Sequence, residues 1–330
     1  MKTVSRRAIL AGSAAIAAMA GSPTILRAQA KTVRWGEALP ANHPQVQMAE
    51  KIAADVKAKT GGKIEIQVFP NSQLGTGPDM IEAVSSGALQ MTTDGAGAIG
   101  SFLPALSVIE APYLWRDAAH MAKMVQASQF GSFNDALIQR RKMRILGVSY
   151  YGKRHLTTGN KAVRTPADMV GFKLRVPPVD TFRAMAEAWG ARATPIAYAE
   201  LYLALSQGAV DGQENPLPTI QSGKFFEVQK FLVLTEHIIT PRMPLINEPF
   251  WQGLQKTERD AIAEAIAAGV KWQDAELLRQ EAGAVAQLRQ QGMTVIEPDV
   301  PAFRKAVLDT VPKKFEEKWG KGTWEAFLKL

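Results

Sequence analysis

Three glycines, Gly95, Gly97 and Gly100, stand at the G-x-G-x-x-G spacing that lets backbone approach a dinucleotide's pyrophosphate, directly after the strand-like run Ala88 to Thr93. That chemistry needs a helix opening at the third glycine, so that its N-terminus meets the phosphates, and an acid about 20 residues on for the ribose. Pro104 follows closely on Gly100, no amphipathic turn begins there, and no strand ends in an acid at the right distance. An exported dinucleotide-dependent oxidoreductase using Gly95–Gly100 is therefore only the alternative reading. The preferred one is that the glycines admit a close approach of backbone to a neighbouring segment or a ligand.

Other catalytic signals are weaker. Gly147-Val-Ser149-Tyr-Tyr151 begins like a nucleophile elbow but lacks the final glycine, and reads as a fragment of strand. His43, His120, His155 and His237 are scattered, with no i, i+4 pair and no carboxylate cluster beside them, so metal catalysis has no support and no metal-ligating residue is singled out. Cysteine is absent, which removes disulfides, thiolate nucleophiles and zinc-thiolate clusters. Glu258, Asp260 and Glu264 fall on a long helical pattern where solvated charge is the default. The reading is a protein that is not an enzyme and holds no cofactor.

What remains are arginines and an amide framed by glycine and proline. Tyr151-Gly-Lys-Arg154-His155 reads as a strand end, Gly171-Phe-Lys173-Leu-Arg175-Val-Pro177-Pro178 places Arg175 inside a strand, and Asp211-Gly-Gln-Glu214-Asn215-Pro216 reads as a turn after another. Period two puts Lys173 and Arg175 on one strand face and Phe172, Leu174 and Val176 on the other. An arginine flanked by apolar residues is either half of a structural ion pair or an anion site; the pattern leaves both open.

The elements that must hold these residues alternate. Strand Lys31 to Gly36 is followed by apolar positions at helical spacing (Val46, Ala49, Ile52, Ala53, Val56) up to Gly61-Gly62, then by the period-two run Lys63 to Phe69. A helix over Pro78 to Ser86, a strand over Leu89 to Thr93, a helix over Ala118 to Arg141 and a strand over Arg144 to Tyr150 continue the rhythm. A second set has a capped start at Thr165-Pro-Ala-Asp168, a strand Phe172 to Val176, helices Val179 to Trp189 and Ala199 to Ser206, and strands Val210 to Gln213 and Phe231 to Thr235. A very long helical pattern runs from Thr257 to Gln291, followed by a strand to Ile296 and mostly helix from Val300 to Trp319. Two α/β sets with parallel pairing and about nine strands predict two lobes.

Residues 1–30 read as an export signal. Lys2, Arg6 and Arg7 precede the apolar stretch Ala8 to Gly21, and Ala28-Gln29-Ala30 supplies the small-x-small cleavage pattern. Ser5 to Leu10, SRRAIL, resembles a twin-arginine signal; the alternative is a general secretory signal that holds two arginines. Removing this stretch takes away Lys2, Arg6, Arg7 and Arg27 and no acid, so the formal charge falls from +8 to +4. That excess, without a basic stripe interleaved with aromatics, does not point to nucleic acid. Beyond the leader no run reaches the roughly 18 to 20 apolar residues of a membrane span.

With these residues in view, the chain resembles the extracytoplasmic solute-binding proteins of tripartite ATP-independent periplasmic (TRAP) transporters, the DctP-like family. The resemblance rests on GFKLRVPPVDTFRAMAEAWGARATPIAYAELYLALSQGAVDGQENPLPTIQSGKFFEVQKF, with FPNSQLG (Phe69 to Gly75) and IEAPYLW (Ile109 to Trp115) before it in the same order, and extends over almost all of Lys31 to Leu330. It implies an α/β, two-lobed periplasmic-binding-protein-like fold with a ligand cleft between the lobes and a long hinge-spanning helix. Residues 31–150 would form mainly lobe 1 and 151–240 mainly lobe 2, with 241–330 supplying return strands, the spanning helix and C-terminal helices.

It also implies a small organic acid held by Arg175, with Arg154, Asn215 and Tyr198 at matching positions and Asp94 and Gly95 on the other side of the cleft. Gly95 and Ala98 stand where sialic acid-binding relatives place charged side chains, which implies a smaller or less polar acid. The implied partners are a carboxylate ligand and the membrane permease, the implied location is the periplasm, and a monomer is the default, with pairing through the long helix as the alternative.

Overall fold

Val33 and Trp35 on one strand and Ile64 and Ile66 on the next share a buried face, as the period-two pattern predicts, and the two strands pair in parallel. The computed structural model describes residues 30–330; the expected export signal, with its twin-arginine-like run and all of its cleavage pattern except Ala30, lies outside the described residues. The strands are β1 (Lys31–Gly36), β2 (Ile64–Phe69), β3 (Met91–Gly95), β4 (Met143–Ile145), β5 (Ser149–Thr158), β6 (Lys173–Val176), β7 (Arg192–Pro195), β8 (Gly212–Pro216), β9 (Phe231–Val233), β10 (Ile239–Asn247) and β11 (Thr294–Ile296). They join in one path, β2-β1-β3-β10-β5-β8-β6-β7, with β4 on β10, β9 on β5 and β11 on β9.

The pairing is mixed, which corrects the parallel expectation. β1 with β2 and β3, β6 with β7 and β8, and β9 with β11 are parallel, as strand-helix-strand units require. β5 and β10 are antiparallel to every neighbour they have and join the two halves of the sheet. β5 pairs with β10 through Ser149 to Lys153 and with β8 from Arg154 onward, so a single ten-residue strand serves both halves.

Three sequence readings change with it. The run read as one strand from Arg144 to Tyr150 is the end of β4, a short link and the start of β5. The turn read at Asp211–Pro216 is the strand β8, whose five residues are all buried and whose polar side chains bond one another. The resemblance implied return strands after residue 240, but no residue pattern located β10, because Pro241 and Pro244 argue against a central strand. Pro241 sits where the β10–β5 register shifts, so its missing N–H breaks no regular ladder step there.

The helix expected over Ala118 to Arg141 is broken: Ala118–Ala122, a tight turn Lys123–Gln126, then Ser128–Arg141 beginning from an extended Ala127. The long helix Lys256–Gln290 is continuous and packs against the helix Pro44–Lys59, against β5, and against the short helix Leu217–Ser222, so it spans the halves. Glu258, expected in solvent, is buried at its start, closing a capping box with Gln255 and accepting from Lys31 Nζ at 2.7 Å.

Candidate binding cleft

A cavity of about 90 Å³ lies between the sheet halves, several times the ~10–15 Å³ that one water occupies by the same measure. Arg175, Arg154, Asn215, Tyr198 and Asp94 all line it, so the structure gathers five of the six residues singled out from sequence. Gly95 does not line it; it is buried at the end of β3, packed on Glu110.

Arg175 comes from β6 and is only 2% exposed. Its Nε donates to the Ile196 carbonyl at 2.8 Å, and among the described residues no carboxylate forms an ion pair with it. Burial pushes its pKa down to about 10, with Glu214 opposing that and Arg154 adding to it, so it stays cationic near neutral pH. Of the two readings left open by the sequence, the structural ion pair is excluded for Arg175.

That reading applies instead to Arg154, which sits within β5 and not at a strand end. Its Nε and Nη2 bond Glu214 at 2.5 and 2.8 Å, and Nη2 also reaches Asn215 Oδ1 at 3.1 Å. Its guanidinium lies over the Phe182 ring, 5.1 Å from the centroid. Glu214 additionally meets His237 Nε2 at 2.9 Å, so one histidine does stand beside a carboxylate after all. Burial disfavours the Glu214 charge, but Arg154 and His237 outweigh it and hold the carboxyl below its ordinary range.

Asn215 is oriented by its own amide donating to Gln213 Oε1 at 2.6 Å, and Gln213 in turn donates to Thr157. Tyr198 opens the helix Tyr198–Ser206 and packs edge-on to Phe225 at 6.0 Å. Its hydroxyl is buried with no hydrogen-bond partner among the described residues; nearby Ser222 donates instead to the Thr219 carbonyl.

The other wall holds residues that the sequence reading missed: Arg242, Glu110, Gln45 and Tyr151. Arg242, from β10, pairs with Asp94 and lies over the Tyr151 ring, 4.2 Å from its centroid. Burial opposes its charge, but Asp94, Tyr151 and Glu110 outweigh that and raise its pKa. Tyr151 is fixed by a relay: Gln45 N–H donates to His43 Nδ1 at 3.0 Å, His43 Nε2 meets Thr219 Oγ1 at 3.1 Å, and Thr219 donates to the Tyr151 hydroxyl at 2.9 Å. The backbone donor at Nδ1 assigns the ring proton to Nε2. Glu110 stands in the quoted segment IEAPYLW, and that motif was the only sequence signal for it.

The glycine question is answered by Glu110. Its Oε2 accepts from the Gly97 N–H at 2.7 Å, and a Cβ at Gly95 would lie 2.5 Å from the same oxygen. The helix that follows, Ala96–Ile99, has four residues and closes at Gly100. A carboxylate already occupies the amide that a phosphate would need, so the dinucleotide reading is corrected: the glycines make room for an acid.

Residues 35–318 match the family described as bacterial extracellular solute-binding protein, family 7, DctP. The chain belongs to this family. The sialic acid-binding periplasmic protein SiaP of Vibrio cholerae is 32% identical over 97% of this chain and 97% of its own length. A TRAP periplasmic solute-binding protein from Roseobacter denitrificans, solved with L-galactonate, superimposes with a TM-score of 0.85 at 30% identity, covering 90% of this chain and 98% of that one. One from Polaromonas sp. JS666, bound to D-erythronate, gives 0.86 at 29% identity, covering 91% and 99%. As a DctP-family TRAP solute-binding protein with the two-lobed fold of these neighbours, the chain is a transport receptor and not an enzyme. Among the described residues no helix is long and apolar enough to cross a membrane.

Proposed function

We propose that this receptor captures a small organic acid in the periplasm through a salt bridge to Arg175 and delivers it to a membrane permease. The observation that carries the reading is a buried guanidinium with no acidic partner among the described residues, facing a cavity. An unpaired buried charge costs several kcal/mol, and an incoming carboxylate is the group that offsets it. Arginine's planar fork suits that group, each charge-assisted hydrogen bond contributing roughly 1.5–3 kcal/mol. Micromolar affinity needs about 8 kcal/mol, within reach of Arg175 helped by Asn215, Tyr198 and the outer face of Arg154.

Closure of the halves over the ligand follows from the crossing strands β5 and β10, with 31–150 moving mainly as one lobe and 151–240 mainly as the other. The relatives solved with galactonate and erythronate carry acids of the size expected from Gly95 and Ala98. A thermal-shift screen with organic acids and nicotinamide dinucleotides tests the proposal, followed by calorimetry on Arg175→Lys. Acids raise the melting temperature, dinucleotides do not, and the lysine loses at least about tenfold in affinity because a point charge cannot reproduce the fork. Unchanged affinity in Arg175→Lys would overturn the assigned role.

A further inference from the structure

The two walls of the cleft differ in charge balance. On the β6–β8 side, Arg154 is ion-paired with Glu214, whereas among the described residues no carboxylate forms an ion pair with Arg175. On the β3–β10 side, Arg242 is neutralised by Asp94, with Glu110 lining the same wall. A ligand therefore meets one uncompensated positive charge, at Arg175, and on the opposite wall a cation already paired, with a further acid beside it.

The unmet hydrogen bonds on that opposite wall are equally specific. The Gln45 amide nitrogen donates one of its hydrogens to Glu37 at 2.6 Å, and Gln45 Oε1 is buried with no donor among the described residues. Arg242 Nε is buried with no acceptor. Gln45 itself is 1% exposed, and both residues line the cavity. One orphan acceptor and one orphan donor are together satisfied by hydroxyl groups, which donate and accept. A carboxylate only accepts; it leaves Gln45 Oε1 unmet and confronts the Asp94 carboxylate.

We propose that Arg242, Asp94 and Gln45 form a hydroxyl-selecting subsite that restricts the ligand to singly charged hydroxy acids and rejects the matching dicarboxylates. This rests on the reading that Arg175 takes the ligand's carboxylate. A second carboxylate accepting from Arg242 Nε would stand beside Asp94, which holds Nη1 of the same guanidinium, and the pair is partly buried, where a like-charge contact is poorly screened. Asp94 is then a selectivity device: it cancels a cation that would otherwise welcome a second anion.

Matched pairs that differ only in the terminal group isolate the effect: threonate against tartrate, xylonate against xylarate, galactonate against galactarate, each titrated calorimetrically against the mature receptor near neutral pH. In the best-binding pair the monoacid binds at least about tenfold more tightly, the order of one like-charge contact in a partly buried site. Butyrate, with the charge but no hydroxyls, binds more weakly than threonate. Asp94→Asn frees Arg242 and narrows the gap by improving the diacid. The proposal is overturned if a diacid equals or beats its monoacid, if butyrate matches threonate, if no pair binds, or if folded Asp94→Asn leaves the gap unchanged. Arg175→Ala separates the two readings. If it abolishes binding while diacids win, only the subsite falls; if binding survives it, the carboxylate assignment itself falls.

Discussion

Arg154 and Glu214 are diagonal neighbours across the β5–β8 ladder, joined by two hydrogen bonds to the carboxylate at 2.5 and 2.8 Å and a third from Arg154 Nη2 to the Glu214 carbonyl at 2.8 Å, with both side chains almost wholly buried. The pair ties the strand shared by both sheet halves to the strand that carries Asn215. Removing one partner strands the other as a buried charge, which costs about 3–5 kcal/mol, whereas an apolar replacement of both is far milder. Arg154→Met alone should therefore lower the unfolding free energy by roughly that amount, and Arg154→Met with Glu214→Leu should recover much of it. Chemical denaturation of both variants decides this; equal losses in the two would mean that the pair matters through packing and not through charge.

Buried titratable groups pull the pH dependence of stability in opposite directions. Burial drives the pKa of His43 and of His155 down to about 3, and drives that of Glu37 up to about 8 against the opposing help of Thr93 and Gln45. For the histidines, the unfolded chain binds protons that the fold refuses, so their contribution is lost as pH falls below about 6.5. For Glu37 the fold holds a proton that the unfolded chain releases, so stability declines as pH rises from about 4.5 to about 8. The buried His237, also lowered, sides with the two histidines below about 6.5, where Glu110 and Glu281, both raised by burial, side with Glu37; above about 6.5 the raised carboxyls act unopposed by histidine. Melting temperatures should decline above about pH 6.5, and Glu37→Gln should make that alkaline limb shallower. An alkaline limb untouched by that substitution would refute the assignment.

Gly95 illustrates a close approach that sequence spacing alone misassigns. A Cβ there would stand 2.5 and 2.8 Å from the two Glu110 oxygens, in a buried site. Gly95→Ala should destabilise the fold by about 1–3 kcal/mol through overpacking. Adding Glu110→Ala removes the clashing carboxylate and should return part of the loss, read by the same denaturation experiment. If the double variant shows only summed losses, the contact with Glu110 is not what requires glycine.

The strands with clean alternation, β1 and β2, and the capped or glycine-closed helices were legible because local periodicity decides them. Arg175 and Asn215 were legible through the long signature around them. β10 was not, because two prolines mask a strand whose register shift tolerates one of them, and Arg242 was lost with it. Glu214 and His237 lie far apart in sequence and meet only through the β5–β8–β9 arrangement, so no spacing could reveal them. Which arginine is paired and which is not is a property of the assembled sheet, and that distinction separates a structural residue from a receptor's anchor.

The Tyr198 hydroxyl provides a last separation of binding from folding. It is buried without a partner among the described residues, and burial raises its pKa, so it lines the cleft as a neutral donor. Burying a hydroxyl unsatisfied costs about 1–3 kcal/mol, a cost the ligand-free protein bears and a bound acid relieves. Tyr198→Phe keeps the packing on Phe225 while deleting that oxygen. The variant should melt at the same or a slightly higher temperature without ligand, yet bind its acid about three- to tenfold less tightly, the size of one neutral hydrogen bond. Paired scans with and without ligand check both halves. A variant that is less stable when empty and unchanged in affinity would show that the hydroxyl serves the fold and not the ligand.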